Sequence, residues 1–145
     1  MYLLDTNVVS ELRKAPTGCA DANVIAWAAS VTTPMLFLSS ITILEIEIGI
    51  LQIERRDSVQ GALLRDWLEG QVLTAFDGRI IAFETAAARR CAALHVPDRR
   101  SDRDAMIAAI ALVHGLRVVT RNTADFADTG APLLNPWELS RQEIR

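Results

Sequence analysis

The chain has almost no lysine: of its fifteen basic residues only Lys14 is one, and the rest are arginine. Arginine suits bidentate contacts to phosphate. Codon bias in a GC-rich genome explains the excess equally well, so the imbalance alone assigns no partner. A net charge of −3 gives no global pull toward nucleic acid. Such a partner needs a local basic patch or metal ions. Cysteine is scarce too. Cys19 and Cys91 make neither a metal-type pair nor a disulfide framework, which fits a reducing cytosol and a cytoplasmic protein. Histidine is limited to His95 and His114, which form no ligand motif and disfavour zinc. His114, beside Gly115, suits a helix C-terminus, where a cation is welcome. No apolar run approaches the ~20 residues of a membrane helix. The opening "MYLLDTN" lacks a basic region and meets an acid at once, so no secretory leader is expected. Without repeats, linkers or low-complexity blocks, residues 1–145 read as one domain long enough to bury a core.

What the sequence does have is alternation of strand-like and helix-like stretches. "YLLD" is a short apolar strand, and "TNVVSELRK" comes next as a helix with Thr6 or Asn7 as its N-cap. "ADANVIAWAAS" carries Val24, Trp27 and Ala28 on one helical face. "PMLFLSS" is a buried strand, and Ser39 or Ser40 caps the element after it. In "TILEIEIGI" strict alternation favours a strand, but the apolar run continues through "LQIERR" beyond usual strand length. Ile43, Ile46, Ile50 and Ile53 line up at helical spacing, so a helix is expected. It is apolar almost all round and therefore buried on two sides, by the core and by a second subunit or by the core alone. "SVQGALLRDWLEGQVLTAF" is a further amphipathic helix with Leu63, Leu64, Trp67 and Leu68 inward. "DGRIIAF" is a turn and a strand, and "TAAARRCAALH" a helix by composition. "PDRRSDRDAMIAAIALVHG" is a loop and a helix capped by Ser101 and closed by Gly115. "LRVVT" is a strand, "RNTADFADTGAP" a loop, and "LLNPW" a last short strand before a polar tail. The pattern predicts an α/β sandwich around a mostly parallel sheet.

In such folds the functional crevice lies outside the carboxyl ends of the strands. Four acids fall there: Asp5 ends the first strand, Glu45 lies one turn into the helix after "LFLSS", Asp104 opens the helix before "LRVVT", and Asp125 comes after it. Each has a plainer alternative. Asp104 is three residues after Ser101, as in a capping box, and an acid there also answers the helix dipole. Asp125 suits a turn. Asp5, directly between a buried strand and a helix, is the hardest to dismiss. Glu45 and Glu47 project roughly 200° apart round a helix, so only one reaches a given crevice and the other meets solvent or an ion pair. Four converging carboxylates repel one another. A hard divalent cation removes the conflict, and Mg²⁺ or Mn²⁺ suits oxygen ligands. That donor set belongs to metal-assisted phosphodiester hydrolysis.

Four stretches carry a resemblance. "YLLDTNVVSEL", "LSSITILEIEIGI", "DRDAMIAAIALVHG" and "TRNTADF" occur in order and at compatible spacing, with "LLNPWEL" near the end. Together they resemble the PIN-domain ribonucleases, and within them the VapC-type and FitB-type toxins of bacterial toxin–antitoxin pairs. The resemblance implies a three-layer α/β/α sandwich with a twisted, mostly parallel sheet of four to five strands. It implies metal ligands and catalytic acids at Asp5, Glu45, Asp104 and Asp125, with Thr6, Asn7, Thr120 and Asn122 orienting ligands or water. Asp102 departs from the pattern, where an uncharged residue is usual, and competes with Asp104. Glu47 has no role in the resemblance. The implied protein is a Mg²⁺-dependent endoribonuclease toxin, commonly a homodimer, with a small VapB-like antitoxin as partner and DNA reached only through that antitoxin. Arg99, Arg100, Arg103 and Arg121 flank the acidic motifs as candidate phosphate contacts, or as plain solvated surface.

Rival readings come from other classes. A binding module would mainly hold the antitoxin and regulate operator DNA, with little cleavage; Mg²⁺-dependent, chelator-sensitive cleavage of structured RNA separates it from the nuclease. An aspartyl-phosphate phosphatase also opens on a strand-terminal aspartate, but wants a second aspartate where Asn7 stands. A structure-specific DNA nuclease of the same core would need an insertion that this chain lacks.

Overall fold

The computed structural model describes residues 1–139. Its elements run β1 (Tyr2–Leu4), α1 (Thr6–Arg13), α2 (Ala22–Ser30), β2 (Leu36–Ser39), α3 (Ser40–Arg56) and α4 (Ser58–Trp67). A π-helical turn (Leu68–Val72) then leads into the single turn α5 (Leu73–Ala75). Next come β3 (Ile80–Ile81), α6 (Thr85–Leu94), α7 (Asp102–His114), β4 (Arg117–Val119) and β5 (Leu133–Leu134). The strands form one sheet in the order β3-β2-β1-β4-β5, every pairing parallel. Parallel neighbours need crossovers, and the helices supply them, covering both faces.

Strand alternation sorts the core into two layers. Leu3 and Val118 point to one face, with Ala105, Ile107 and Phe126. Leu4, Leu38 and Val119 point to the other, with Val8, Trp27, Ile46 and Leu68. Leu3 and Leu4 are fully buried, which contributes about 1.5–3 kcal/mol for each leucine. On α7, Ala105, Ala108, Ala109 and Ala111 are buried together with Ile107 and Ile110. Small side chains let this helix sit close to the sheet and to α6.

The elements match the sequence reading, with local corrections. The N-cap of α1 is Asp5 rather than Thr6 or Asn7, because its carboxylate accepts the Thr6 N–H. Ser39 caps α3, accepting from Thr42 N–H. Ser101 stands at the N-cap of α7 without a side-chain capping bond, and Gly115 closes that helix at φ 66°. One continuous helix over residues 58–76 gives way to α4, the π-turn and α5. Leu63 is not inward: it is 61% exposed, while Leu64 and Leu68 fill the core. The stretch 121–132 contains a 3-10 turn, Thr123–Phe126, which buries Phe126. The last strand is Leu133–Leu134 alone. The polar tail after residue 139 lies outside the described residues. Among the described residues no helix is long and apolar enough to cross a membrane.

Candidate active site

Because all strands are parallel, their carboxyl ends share one edge. Asp5 comes directly after β1, α3 after β2 and Thr120 after β4, and α7 runs back toward β4 with its N-terminus at that edge. Asp5 is buried, 6% exposed. One carboxylate oxygen, Oδ1, accepts from Thr6 N–H at 2.8 Å. The other, Oδ2, accepts from the Thr120 hydroxyl at 2.8 Å and from the Asn7 side-chain amide at 3.3 Å. Burial pushes the Asp5 carboxyl from 3.8 up to about 6; the Thr120 and Thr6 donors oppose this, and the charges of Glu45 and Asp104 add to it.

Glu45 reaches the same edge from the second turn of α3. The Thr6 hydroxyl donates to its Oε1 at 2.9 Å and lies 3.2 Å from Thr42 Oγ1. Thr42 is fully buried and was not singled out by sequence. Its signal was spacing, since it stands one helical turn before Glu45 and so shares its face. Asp104, half-buried on the first turn of α7, has its carboxyl raised by burial first, then by the charges of Asp125 and Glu45. Asp125 sits exposed on the 3-10 turn after β4. Thr120 is fully buried and also accepts from Asn7 Nδ2 at 3.3 Å and Asn122 N–H at 3.0 Å. Like charge therefore reaches Asp5 from Glu45 and Asp104, and Asp104 from Asp125 and Glu45. Among the described residues, no three His, Cys, Asp or Glu side chains are gathered closely enough to cage an ion by themselves. Mg²⁺ does not demand such a cage, because it keeps several waters and takes one or two carboxylates. Hard oxygen donors whose like charges hold the Asp5 and Asp104 carboxyls above the usual range fit a divalent cation.

A family model for the PIN domain matches residues 2–132. The chain belongs to the PIN-domain family. It is 37% identical to the VapC ribonuclease Y4jK of Sinorhizobium fredii (strain NBRC 101917 / NGR234), over 95% of this chain and 99% of that protein. It is 34% identical to Toxin FitB of Neisseria gonorrhoeae (strain ATCC 700825 / FA 1090), over 94% of this chain and 99% of that protein. A chain in the solved structure of FitAB bound to an IR36 DNA fragment superposes with a TM-score of 0.86 at 30% identity, covering 97% of this chain and 98% of that one.

Within this PIN domain the charges left open by sequence now have places. Glu47 points away from the acids and takes both of its oxygens to Arg65 Nη1, at 2.8 and 2.7 Å. Arg65 also holds Glu54 at 2.9 Å, tying α3 to α4. Asp102 faces His95 at 3.7 Å and Arg99 at 3.5 Å, so its carboxylate is directed at those two side chains. Arg100 donates to the backbone oxygens of Leu94 and Ala127, both at 3.0 Å. Arg103 lies 3.7 Å from Glu45 Oε2. Arg121 stands over the ring of Trp137, 5.3 Å from its centroid. Beside Glu45, a cleft of ≈ 200 Å³ runs between α1, α3 and α4, lined by Thr6, Arg13, Gly49 and Trp67 among others.

Proposed function

We propose that this PIN domain, acting as one unit over residues 1–145, is a metal-dependent endoribonuclease and the toxin of a toxin–antitoxin pair. The observation that carries the reading is Asp5, a buried carboxylate held by three donors at the carboxyl end of the central strand and coupled in charge to Glu45 and Asp104. Residues that merely stabilise a fold do not gather like charges at a sheet edge; the arrangement makes sense with a cation between them. The names of its relatives, a VapC ribonuclease and Toxin FitB, point the same way.

Asp5, Glu45 and Asp104 would hold Mg²⁺, or Mn²⁺, which suits the same donors, one or two of them directly and the others through water, with Asp125 completing the site from the rim. When bound, the ion supplies Lewis acidity toward a phosphate oxygen and eases deprotonation of an attacking water. The chain's own groups do the positioning. Thr6 N–H and the Thr120 hydroxyl fix the two oxygens of Asp5, and the Thr6 hydroxyl fixes Glu45. Asn7 ties the Asp5 loop to the β4 end through Thr120 Oγ1 and Arg121 N–H. Asn122 lies beside them with its backbone N–H on Thr120.

A complex such as the FitAB of the solved structure supports a small antitoxin as partner here, with DNA reached through it. Two free thiols, one exposed and one buried, suit the cytoplasm. Leu44 and Leu51, 46% and 54% exposed on α3, flank half-buried Ile48 and support a homodimer. The test is RNA cleavage by the purified protein with Mg²⁺ and with chelator. Asp5→Asn abolishes metal-dependent cleavage while leaving the circular dichroism spectrum unchanged; undiminished cleavage by that variant rejects the site. Wild-type protein that binds antitoxin but cuts no RNA would favour the binding-module reading.

A further inference from the structure

Resting on the nuclease reading, we propose that Arg121 and Trp137 form a built anchor for a phosphate of the RNA chain, one strand away from Asp5 along the carboxyl edge. Four arginines flank the acidic motifs, and the structure separates them. Arg99 faces Asp102, Arg100 is spent on two backbone oxygens, and Arg103 faces Glu45. Arg121 alone of the four has its guanidinium face on an aromatic ring and no hydrogen bond or ion pair to its guanidinium edge among the described residues. Glu11, a neighbouring acid whose carboxyl Arg121 helps to lower, is itself engaged by Asp21 N–H at 2.9 Å and Lys14 at 3.1 Å.

The pair is clamped. Asn135 donates from Nδ2 to the Arg121 backbone oxygen at 3.3 Å and accepts from Trp137 N–H at 3.0 Å through Oδ1. The Trp137 carbonyl accepts from Asn23 Nδ2 at 2.8 Å on α2. Arg121 N–H donates to Asn7 Oδ1 at 3.3 Å, and Asn7 in turn touches Asp5. One asparagine thus fixes the arginine backbone to the tryptophan backbone, and a second fixes it to the acidic site. A stacked guanidinium keeps its N–H edges for an anion, and its planar fork matches the two oxygens of a phosphate. Holding the side chain in advance reduces the entropy lost on binding.

Position adds direction. The strand order places the ends of β2, β1, β4 and β5 side by side, about 4.8 Å apart per strand. Along that edge lie Glu45, Asp5, Arg121 and Trp137 in that order. A polynucleotide crossing the acids would continue onto Arg121. On an otherwise acidic chain, a phosphate contact there offsets the repulsion that the carboxylates impose on an incoming strand.

The experiment measures binding of a fluorescein-labelled, mixed-sequence single-stranded RNA 20-mer to full-length protein carrying Asp5→Asn, by anisotropy across a NaCl series. Binding needs no turnover, so its outcome is separate from that of the cleavage test. In this background Arg121→Gln weakens binding about ten-fold and reduces the slope of log K against log salt by about 0.7. Arg121→Lys, which keeps the charge but not the fork or the stack, recovers only part of the loss. Trp137→Phe keeps a ring under the guanidinium and stays within about two-fold, whereas Trp137→Leu weakens binding about three-fold. In otherwise wild-type protein, the Arg121→Gln effect falls on KM rather than kcat. The proposal is overturned if the 20-mer does not bind, if Arg121→Gln leaves affinity and salt slope unchanged, if Arg121→Lys matches the parent, or if the loss falls on kcat alone.

Discussion

Asp5 carries a cost that can be measured without any substrate. In metal-free protein its carboxyl is raised from 3.8 to about 6, mainly by burial. The sign comes from proton linkage. The folded state holds the proton more tightly than the unfolded state, so stability falls as pH rises from about 4 to about 6, and the cost is full above that range. At pH 8 it amounts to roughly 3 kcal/mol, shrinking to roughly 1 kcal/mol near pH 4.5. Asp5→Asn removes the charge and keeps a competent N-cap oxygen for Thr6 N–H. It also turns an NH₂ group toward Asn7 Nδ2 and the Thr120 hydroxyl, which both donate to Asp5 Oδ2 in the parent, and losing two such bonds costs about 2 kcal/mol. In chelator at pH 8 the variant is therefore more stable than the parent by about 1 kcal/mol, a Tm gain of roughly 2–4 °C. Near pH 4.5 the order reverses, and the parent is the more stable by about 1 kcal/mol. The assay is urea denaturation at both pH values in EDTA, with calorimetry as a second measure. A variant less stable than the parent at pH 8, or a difference independent of pH, would refute the burial argument. Adding Mg²⁺ then stabilises the parent and leaves the variant nearly unmoved.

The same contacts set further outcomes. Glu45→Gln removes cleavage of RNA, whereas Glu47→Gln leaves it intact, because Glu47 is turned to Arg65; equal losses would contradict the assignment of faces on α3. Arg65→Met strips Glu47 and Glu54 of their shared cation and lowers Tm, read by calorimetry, with RNA cleavage retained at permissive temperature. Gly61→Ala would set a Cβ 2.6 Å from Glu54 Cγ and 2.8 Å from Glu54 Cα, so α3 and α4 must part, at about 1–3 kcal/mol in chemical denaturation. Gly49→Ala meets nothing within 4 Å and stabilises α3 by about 0.5–1 kcal/mol in the same measurement. Thr120→Val removes a donor from Asp5, which raises that carboxyl further; the acid limb of the pH–rate profile moves to higher pH, while Thr120→Ser stays near the parent.

Much of this fold and site was legible in the amino-acid order. Alternating apolar runs marked which segments are strands, and an acid directly after "YLL" marked the end of the central one. The four motif acids were named from spacing and resemblance, and in the structure the charges of Glu45 and Asp104 raise Asp5, while those of Asp125 and Glu45 raise Asp104. Hidden from the sequence were features that depend on which neighbour arrives across a gap. Two glutamates two residues apart look alike in "LEIEIG". Only the packing of α3 against α4 gives Glu47 the Arg65 cation and leaves Glu45 to Thr6. Likewise "DRD" offers two aspartates, and only the approach of His95 and Arg99 draws Asp102 away. Leu63 and Leu64 are equally apolar and project about 100° apart on α4, and only the packing partners decide that Leu64 joins Ile46 and Ile50 in the core while Leu63 is exposed. Arg121 and Trp137 lie on different loops, and neither carries a pattern that announces the other. Local order decided the elements and the acids, since backbone propensity and hydrophobic period act between near neighbours. The partners of each charge were decided by the tertiary structure, because a Coulomb pair is set by distance in space and not by separation along the chain.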